Sequence, residues 1–125
     1  MSTGPWIGFC AVYTTWWVEA EVYNGGFNQY FWNSSRQFAN EAVAGFELIG
    51  APKHAALMTR AIDSFRQEED RLQSFIDRDN VKAFSESYQD TPLNSLDEEF
   101  YELSEDLSRL RIQFIRRNPD LFVGE

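Results

Sequence analysis

The side chains that most often catalyse reactions or bind metals are sparse in this sequence. His54 is the single histidine and Cys10 the single cysteine, so no zinc-type set of His and Cys ligands exists. Cys10 is predicted to be buried and to pack as a small hydrophobic residue. Because it is the single cysteine, no intrachain disulfide is possible. His54, beside Lys53 in the first turn of a helix, is predicted to be a partly exposed surface residue. We therefore predict no catalytic residue, no metal ligand and no cofactor.

Two short motifs resemble ligand-binding loops but lack the residues that such loops require. Asp77-Arg78-Asp79-Asn80 resembles the start of a calcium loop, yet Lys82 stands where glycine is needed and Tyr88 where glutamate is needed. Gly25-Gly26 has neither a preceding strand nor the Gly-Lys-Ser of a phosphate-binding loop. Carboxylates are abundant, but no spacing singles out a general acid and a general base. The chain is predicted not to be an enzyme.

Negative charge is the chemical feature that remains. Twenty Asp and Glu against eleven Lys and Arg give a net charge of −9, which disfavours direct binding to DNA or RNA. Between Lys82 and Arg109 there are eight acidic residues and no basic one. At about 100 degrees per residue, a helix through this region places Glu98, Glu102 and Glu105 opposite its apolar stripe, with Glu99 and Asp106 on its flank. The acids predicted to bind a partner are Glu86, Asp90, Glu98, Glu99, Glu102, Glu105 and Asp106.

Two interpretations of this acidic face remain open. It is either a solvated surface that keeps the protein soluble or a ridge that the basic surface of a DNA-binding protein accepts. Like charges four residues apart, such as Glu98 and Glu102, destabilise a helix. Acids near the N-terminus of a long helix offset part of that cost through the helix dipole.

The elements that position these residues are predicted to be helices in one domain spanning residues 1–125, because apolar residues recur at three-and-four spacing. A first helix covers residues 6–20, with Phe9, Tyr13 and Trp16 in its stripe, and Asn24-Gly25-Gly26 ends it in a left-handed turn. The alternative at these glycines is a β-hairpin.

Further helices follow the glycines. One is predicted to start at the cap residues Asn33-Ser34-Ser35 and to end at Gly50, and the next starts at Pro52. Shorter segments cover residues 72–76 and 81–88. A last helix carries the unbroken stripe Leu96, Phe100, Leu103, Leu107, Leu110 and Phe114. A capping box of Ser95 and Glu98 starts this helix, and Asn118-Pro119 ends it.

The predicted fold class is all-α, a compact single-domain bundle of about five to seven helices with a long C-terminal amphipathic helix. No stretch approaches the roughly 20 apolar residues of a membrane-spanning helix, and no signal peptide is evident. We predict a cytoplasmic protein that binds no membrane.

The run from Glu21 to Ser35, with Asn-Gly-Gly-Phe-x-Gln-Tyr-Phe-x-Asn-Ser-Ser from Asn24 onward, resembles the signature of a bacterial helical family named for a DNA-mimic protein. Similar stretches follow at Ile49-Gly50-Ala51, at Leu96-Asp97 with Phe100-Tyr101, and from Phe114 to Phe122. The resemblance covers about residues 17–122, and Tyr23 departs from it because asparagine is usual there.

The resemblance implies an all-helical fold, homodimers and, in the DNA-mimic case, an acidic surface that occupies the DNA-binding face of a helix-turn-helix transcription factor. The shared signature residues are interpreted as fold determinants first and as a binding pocket second. These residues are Asn24, Gly25, Gly26, Phe27, Gln29, Tyr30 and Asn33.

The predicted function is a non-enzymatic DNA-mimic regulator that binds a basic DNA-binding protein. One alternative is an immunity or antitoxin-like protein that neutralises a nuclease toxin. Another is a small-molecule binder that uses Gln29, Tyr30 and Asn33.

Overall fold

The computed structural model describes residues 5–69 and 93–122, and these residues form helices without any strand. Five α-helices lie in these ranges: α1 (Pro5–Trp32), α2 (Ala39–Ile49), α3 (Pro52–Gln67), α4 (Leu93–Glu102) and α5 (Leu107–Arg117). The 3-10 helices Ser34–Phe38 and Pro119–Phe122 follow α1 and α5. The predicted all-α class is confirmed. The segments predicted at 72–76 and 81–88 lie outside the described residues.

Helix α1 packs against α2 through small side chains and not through its aromatic residues. The buried face of α1 includes Ala11, Thr15, Val18 and Val22. The aromatic residues that predicted this helix lie on its exposed side: Phe9, Tyr13 and Trp16. A Cβ on Gly45 of α2 would lie only 3.1 Å from the Ala11 Cα, so the two helices approach closely. The buried face must be small for this reason, and the periodicity located the helix without identifying its buried side.

Helix α1 bends at Gly25-Gly26, where the backbone leaves helical geometry. Gly26 has φ 80° and ψ 177°, a region that is essentially restricted to glycine. A positive φ is found at Gly26 but not at Gly25, and the predicted left-handed turn is absent because ψ at Gly26 is extended. Helical geometry resumes directly afterwards, so the hairpin alternative is wrong.

Helices α2 and α3 form a pair with a tight link. Gly50 ends α2 with φ 90° and ψ 32°, and Pro52 occupies the first turn of α3, both as predicted. The predicted start of α2 at Asn33 is wrong, because α2 begins at Ala39 after a 3-10 helix. The Asn33 side chain makes no capping hydrogen bond and instead donates to Glu21.

The predicted long C-terminal helix consists of two helices. Residues 103–106 are not helical, and they separate α4 from α5. The predicted stripe nevertheless faces the core, since Leu96, Phe100, Leu107 and Phe114 are buried. The predicted capping box is also wrong, because α4 begins at Leu93 and places Ser95 inside its first turn.

Aromatic rings join α3 and α4 to the C-terminal part of α1. Phe31 stacks on Phe65 of α3 with ring centroids 4.6 Å apart. Phe27 meets Phe100 of α4 edge-on at 5.7 Å. These contacts, each worth about 0.5–1.5 kcal/mol beyond the area they bury, place α4 across the bend of α1.

Candidate functional site

Helix α4 carries the exposed part of the predicted acidic face. Glu98 and Glu102 are four residues apart and exposed, and they form no ion pair with the residues that the structure describes. The first turn of α4 contains no acidic residue, so both carboxylates lie in its second half. The helix dipole disfavours negative charge in the last turn of α4, where Glu102 lies. One long helix was expected to compensate part of the repulsion between these acids through its dipole, and this compensation is therefore absent.

Glu99 lies beside Glu98 but is neutralised by Arg60 of α3. The two guanidinium nitrogens donate to the two carboxylate oxygens at 2.6 and 2.9 Å. The hydrogen bond from Arg60 holds the pKa of Glu99 below its ordinary value. Because both side chains are exposed, the pair joins α3 to α4 only weakly. Glu99 contributes less negative charge to the surface than its neighbours.

Glu105 was predicted to lie on the acidic face, and this prediction is wrong. Its carboxylate accepts hydrogen bonds from the backbone amides of Lys53 and His54 at 3.0 and 2.9 Å. These amides belong to the first turn of α3, where helical partners are missing. Glu105 therefore caps α3, and it reaches that position because the chain leaves α4 after Glu102.

His54 is buried and not partly exposed as predicted, with 3% of its surface accessible. Its ring stacks on Phe46 at 5.5 Å and meets Phe100 edge-on at 5.0 Å. Burial lowers the pKa of His54 below 6.5, although Glu105 acts in the opposite direction. The imidazole is therefore neutral at pH 7, and Nδ1 lies 2.7 Å from Glu105.

Burial raises the pKa of the Glu105 carboxyl, but its three hydrogen bonds from Lys53 and His54 lower it overall. Glu105 is thus an ionised acceptor at neutral pH. The pair is a structural contact between α3 and the link that precedes α5, and not part of an open acidic ridge.

The other predicted acids also differ in their surroundings. Asp106 is exposed but caps α5, accepting a hydrogen bond from the Arg109 amide at 3.1 Å. Glu86 and Asp90 lie outside the described residues. Of the predicted acids in the described ranges, Glu98 and Glu102 are the two that are exposed and engaged neither in an ion pair nor in a helix cap.

The bend of α1 is held by two side chains of α4. The Phe27 amide, just after the bend, donates to the Asp97 carboxylate at 2.7 Å. The Tyr101 hydroxyl donates to the Val22 carbonyl, before the bend, at 3.0 Å. Asp97 and Tyr101 are one turn apart, so a single face of α4 supplies partners where a helix break interrupts backbone pairing.

A second set of contacts crosses the bend within α1 itself. Gln29 Nε2 donates to Glu21 at 3.1 Å, and the Asn33 side-chain amide donates to the other oxygen of the same carboxylate. Glu21 is 8% exposed. A Cβ on Gly25 would lie 2.1 Å from the Gln29 side-chain oxygen, so only glycine leaves room for this arrangement.

The remaining signature residues divide between surface and core. Asn24 is exposed, whereas Phe27 and Tyr30 are almost completely buried. Burial, followed by the charges of Glu41 and Glu21, raises the pKa of the Tyr30 hydroxyl. The structure brings Gln29 and Asn33 together on Glu21, and the groove described next lies elsewhere.

An open groove of about 780 Å³ lies between α1 and α2. It is lined by Ile7, Cys10, Ala11, Asn40, Glu41, Ala44, Gly45, Glu47 and Leu48. Cys10 is partly exposed here and not buried as predicted. Burial and then the charge of Glu41 raise its thiol pKa. The thiol is therefore protonated at neutral pH and poorly nucleophilic.

Residues 5–69 and 93–122 contain neither a candidate metal site nor a candidate membrane span. No group of three or more His, Cys, Asp and Glu side chains there could hold a metal ion. No helix of these ranges combines the length and apolarity needed to cross a lipid bilayer.

The structural carboxylates Asp97 and Glu21 were not among the functional residues predicted from the sequence. Asp97 is followed one turn later by Tyr101, and Glu21 precedes two amide residues at helical spacing. Polar side chains repeated at multiples of four residues along one helix face are the signal that could have identified them.

A family model described as DMP19-like protein matches residues 8–118. The match extends from α1 to the end of α5 and includes the bend of α1 and all of α4. Comparisons with curated proteins and with solved structures find no match.

Proposed function

We propose a function from the premise that this chain belongs to the DMP19-like family. It is a non-enzymatic acidic protein that binds the basic surface of a DNA-binding protein in place of DNA. The resemblance of its signature to a family named for a DNA mimic supports this proposal, as does the net charge of −9. The partner is a basic protein, such as a helix-turn-helix transcription factor, and its DNA-binding activity is regulated by competition.

The observation that carries the proposal is the placement of Glu98 and Glu102. They repel each other at four-residue spacing, Glu102 lies in the last turn of α4 where the helix dipole disfavours it, and no cation of the described residues compensates them. Carboxylates placed in this way lower the free energy of unfolding. Residues that destabilise the fold in this way are typical of binding sites.

The charge density of this surface is of the right order for a phosphate backbone. Glu98 and Glu102 lie about 6 Å apart along the helix axis, so this surface has about half the charge density of a DNA strand, which carries one charge per about 3.4 Å. We propose Glu98 and Glu102 as the core of the binding surface.

The test is capture of partners from a lysate of the source organism on immobilised protein, followed by elution with a salt gradient. We expect a DNA-binding protein that duplex DNA displaces. Glu98→Gln/Glu102→Gln should weaken its binding by roughly 2- to 30-fold, because two exposed charge pairs contribute about 0.4–2 kcal/mol together.

Glu41→Gln/Glu47→Gln is the matched control, since it removes the same charge from two exposed residues of α2. If the two double variants weaken partner binding equally, the interaction depends on the net charge and not on the positions of Glu98 and Glu102. Failure to recover any protein that DNA displaces would contradict mimicry. Recovery of a basic nuclease would indicate toxin neutralisation instead.

A further inference from the structure

We infer that the outer face of α5 binds a short, acidic, amphipathic helix of a partner protein. The chain carries a net charge of −9, yet α5 contains four arginines and no Asp or Glu in the sequence LSRLRIQFIRR. Two of these arginines and two isoleucines share its exposed side. We call Arg109, Ile112, Ile115 and Arg116 the α5 patch.

The composition of the α5 patch is not explained by the stability of the helix. Helix α5 already buries Leu107 and Phe114 on its opposite side, whereas Ile112 and Ile115 are 49% and 39% exposed. The helix dipole favours arginines in the last turn, but it disfavours Arg109 in the first turn. An apolar pair flanked by cations is typical of a surface that a partner covers.

The two arginines of the α5 patch are available to a partner. Arg109 and Arg116 are exposed and form no ion pair with residues 5–69 or 93–122. By contrast, Arg111 of the same helix is buried and donates to Glu19. Because a guanidinium matches the two oxygens of a carboxylate, Asp or Glu side chains are the complementary groups on a partner.

Exposed carboxylates limit the α5 patch at both ends. Asp106 precedes it and Asp120 follows it, and both are exposed. A long polyanion or a flat anionic bilayer would extend past the patch and meet these carboxylates in a chain that is already acidic. Free phosphate would leave the isoleucines uncovered. A short protein segment that combines acidic and aliphatic side chains fits both the charge and the extent of the patch.

The spacing of the α5 patch favours a helix as the bound segment. The backbone of α5 is paired within the helix and offers no partners to an extended peptide. Arg109 and Arg116 are seven residues apart, about 10.5 Å along the axis. A partner helix with acids seven residues apart spans the same distance, and aliphatic side chains three and four residues after its first acid cover Ile112 and Ile115. Helix α4 takes no part, so the inference is independent of the proposed function.

The first test measures the binding of a fluorescein-labelled, alanine-rich helical peptide to this protein by fluorescence anisotropy. The peptide carries two Glu seven residues apart and two Leu three and four residues after the first Glu. An isomer of the same composition carries its leucines two and five residues after the first Glu, on the opposite side of the helix. We expect the isomer to bind more weakly by roughly tenfold or more. No binding of the first peptide, or equal binding of both, would overturn the inference.

The second test locates the bound peptide on α5. Arg109→Gln/Arg116→Gln should weaken binding of the first peptide by roughly 2- to 30-fold, because it removes two exposed charge pairs. Lys53→Gln/Arg66→Gln is the matched control, since it removes the same charge from two exposed residues of α3. Equal weakening by the two double variants would show that the peptide responds to net charge and not to the α5 patch.

The apolar half of the α5 patch has its own variant. Ile112→Ala/Ile115→Ala should weaken peptide binding by roughly 5- to 30-fold with unchanged helical circular dichroism. Phe38→Ala/Leu48→Ala alters exposed apolar residues elsewhere and should leave binding unchanged. Unchanged binding by the isoleucine variant would contradict an amphipathic partner. Sedimentation of the native protein with phosphatidylserine vesicles should detect no binding, and binding that the arginine variant loses would assign the patch to a membrane instead.

Discussion

Asp97, Glu21 and Glu105 are acidic residues whose carboxylates accept hydrogen bonds where helices begin or are interrupted. Each accepts from protein donors, which compensate for the water that these carboxylates lose on burial. At the scale of single residues, part of the acidity of this chain is therefore structural. The exposed residues Glu98 and Glu102 have no such role in the described part of the chain.

Asp97 is the clearest structural carboxylate, and its charge is expected to stabilise the fold. Asp97→Asn keeps an oxygen acceptor for the Phe27 amide but removes the negative charge that strengthens the 2.7 Å hydrogen bond. We expect the free energy of unfolding to fall by about 0.5–1.5 kcal/mol. Urea unfolding monitored by circular dichroism measures this change.

The control for Asp97 is Asp63→Asn on α3, where the carboxylate is exposed. A surface change of this type should alter the free energy of unfolding by less than about 0.5 kcal/mol. If both asparagine variants behave alike, the Asp97 carboxylate does not hold the bend of α1 in the way described.

His54 is expected to make the stability pH-dependent below about pH 6.5, the ordinary pKa of a histidine in the unfolded chain. Its pKa in the folded protein is lower than 6.5, so the unfolded chain binds the proton first. Stability is complete above pH 6.5 and declines as the pH falls, by at most about 1.4 kcal/mol per pH unit. Urea unfolding at several pH values measures the decline.

His54→Phe isolates this effect because His54 is the only histidine in the chain. The variant keeps an aromatic ring between Phe46 and Phe100 but cannot bind a proton. Its absolute stability changes for other reasons, so the slope against pH is the quantity to compare. A slope that persists below about pH 6.5 in this variant would assign the titration to other groups.

At the scale of helices, sequence periodicity located the elements better than it located their ends. The stripe from Leu96 to Phe114 faces the core as predicted, yet residues 103–106 interrupt the helix. Glu105 leaves the helix to cap α3, a contact between residues 51 positions apart. No local pattern carries that information, although Asp106 at the cap of α5 is a start signal that the continuous stripe concealed.

The two glycines with positive φ give a prediction at the same scale. Gly50 has left-handed helical geometry, which asparagine tolerates, whereas Gly26 combines φ 80° with an extended ψ of 177°. Gly50→Asn should lower the free energy of unfolding by less than about 1 kcal/mol. Gly26→Asn should lower it by about 1–3 kcal/mol.

Thermal and urea unfolding of the two asparagine variants checks this difference. A Cβ on Gly50 meets only the Leu110 side chain, at 3.8 Å, so crowding does not confuse the comparison there. Equal losses at the two positions would mean that the bend at Gly26 relaxes in the variant and that its backbone geometry is not required.

At the scale of the whole molecule, the sequence predicted an acidic surface but not which carboxylates remain exposed. The composition gives the net charge, and periodicity places the acids opposite the core. Arg60, 39 residues away in sequence, neutralises Glu99. The backbone amides in the first turn of α3 bind Glu105 and remove it from the exposed surface. These partners depend on how α3 packs against α4, which one sequence does not specify.

The proposed binding surface should lower the stability of the molecule that carries it. Glu102→Gln removes a carboxylate from the last residue of α4 and ends its repulsion with Glu98. The free energy of unfolding should rise by about 0.5–1.5 kcal/mol at low salt. Glu41→Gln, in the first turn of α2 where the dipole favours the carboxylate, should lower it by about 0.3–1 kcal/mol.

Raising the salt concentration distinguishes these electrostatic changes in the free energy of unfolding from changes in packing. Chloride at about 0.5 M screens exposed charges and should reduce both differences while stabilising the native protein, which carries −9 overall. The same salt should weaken partner binding, so folding and binding respond in opposite directions. If Glu102→Gln instead destabilises the fold, the carboxylate has an intramolecular role and its use as a substitute for phosphate loses its support.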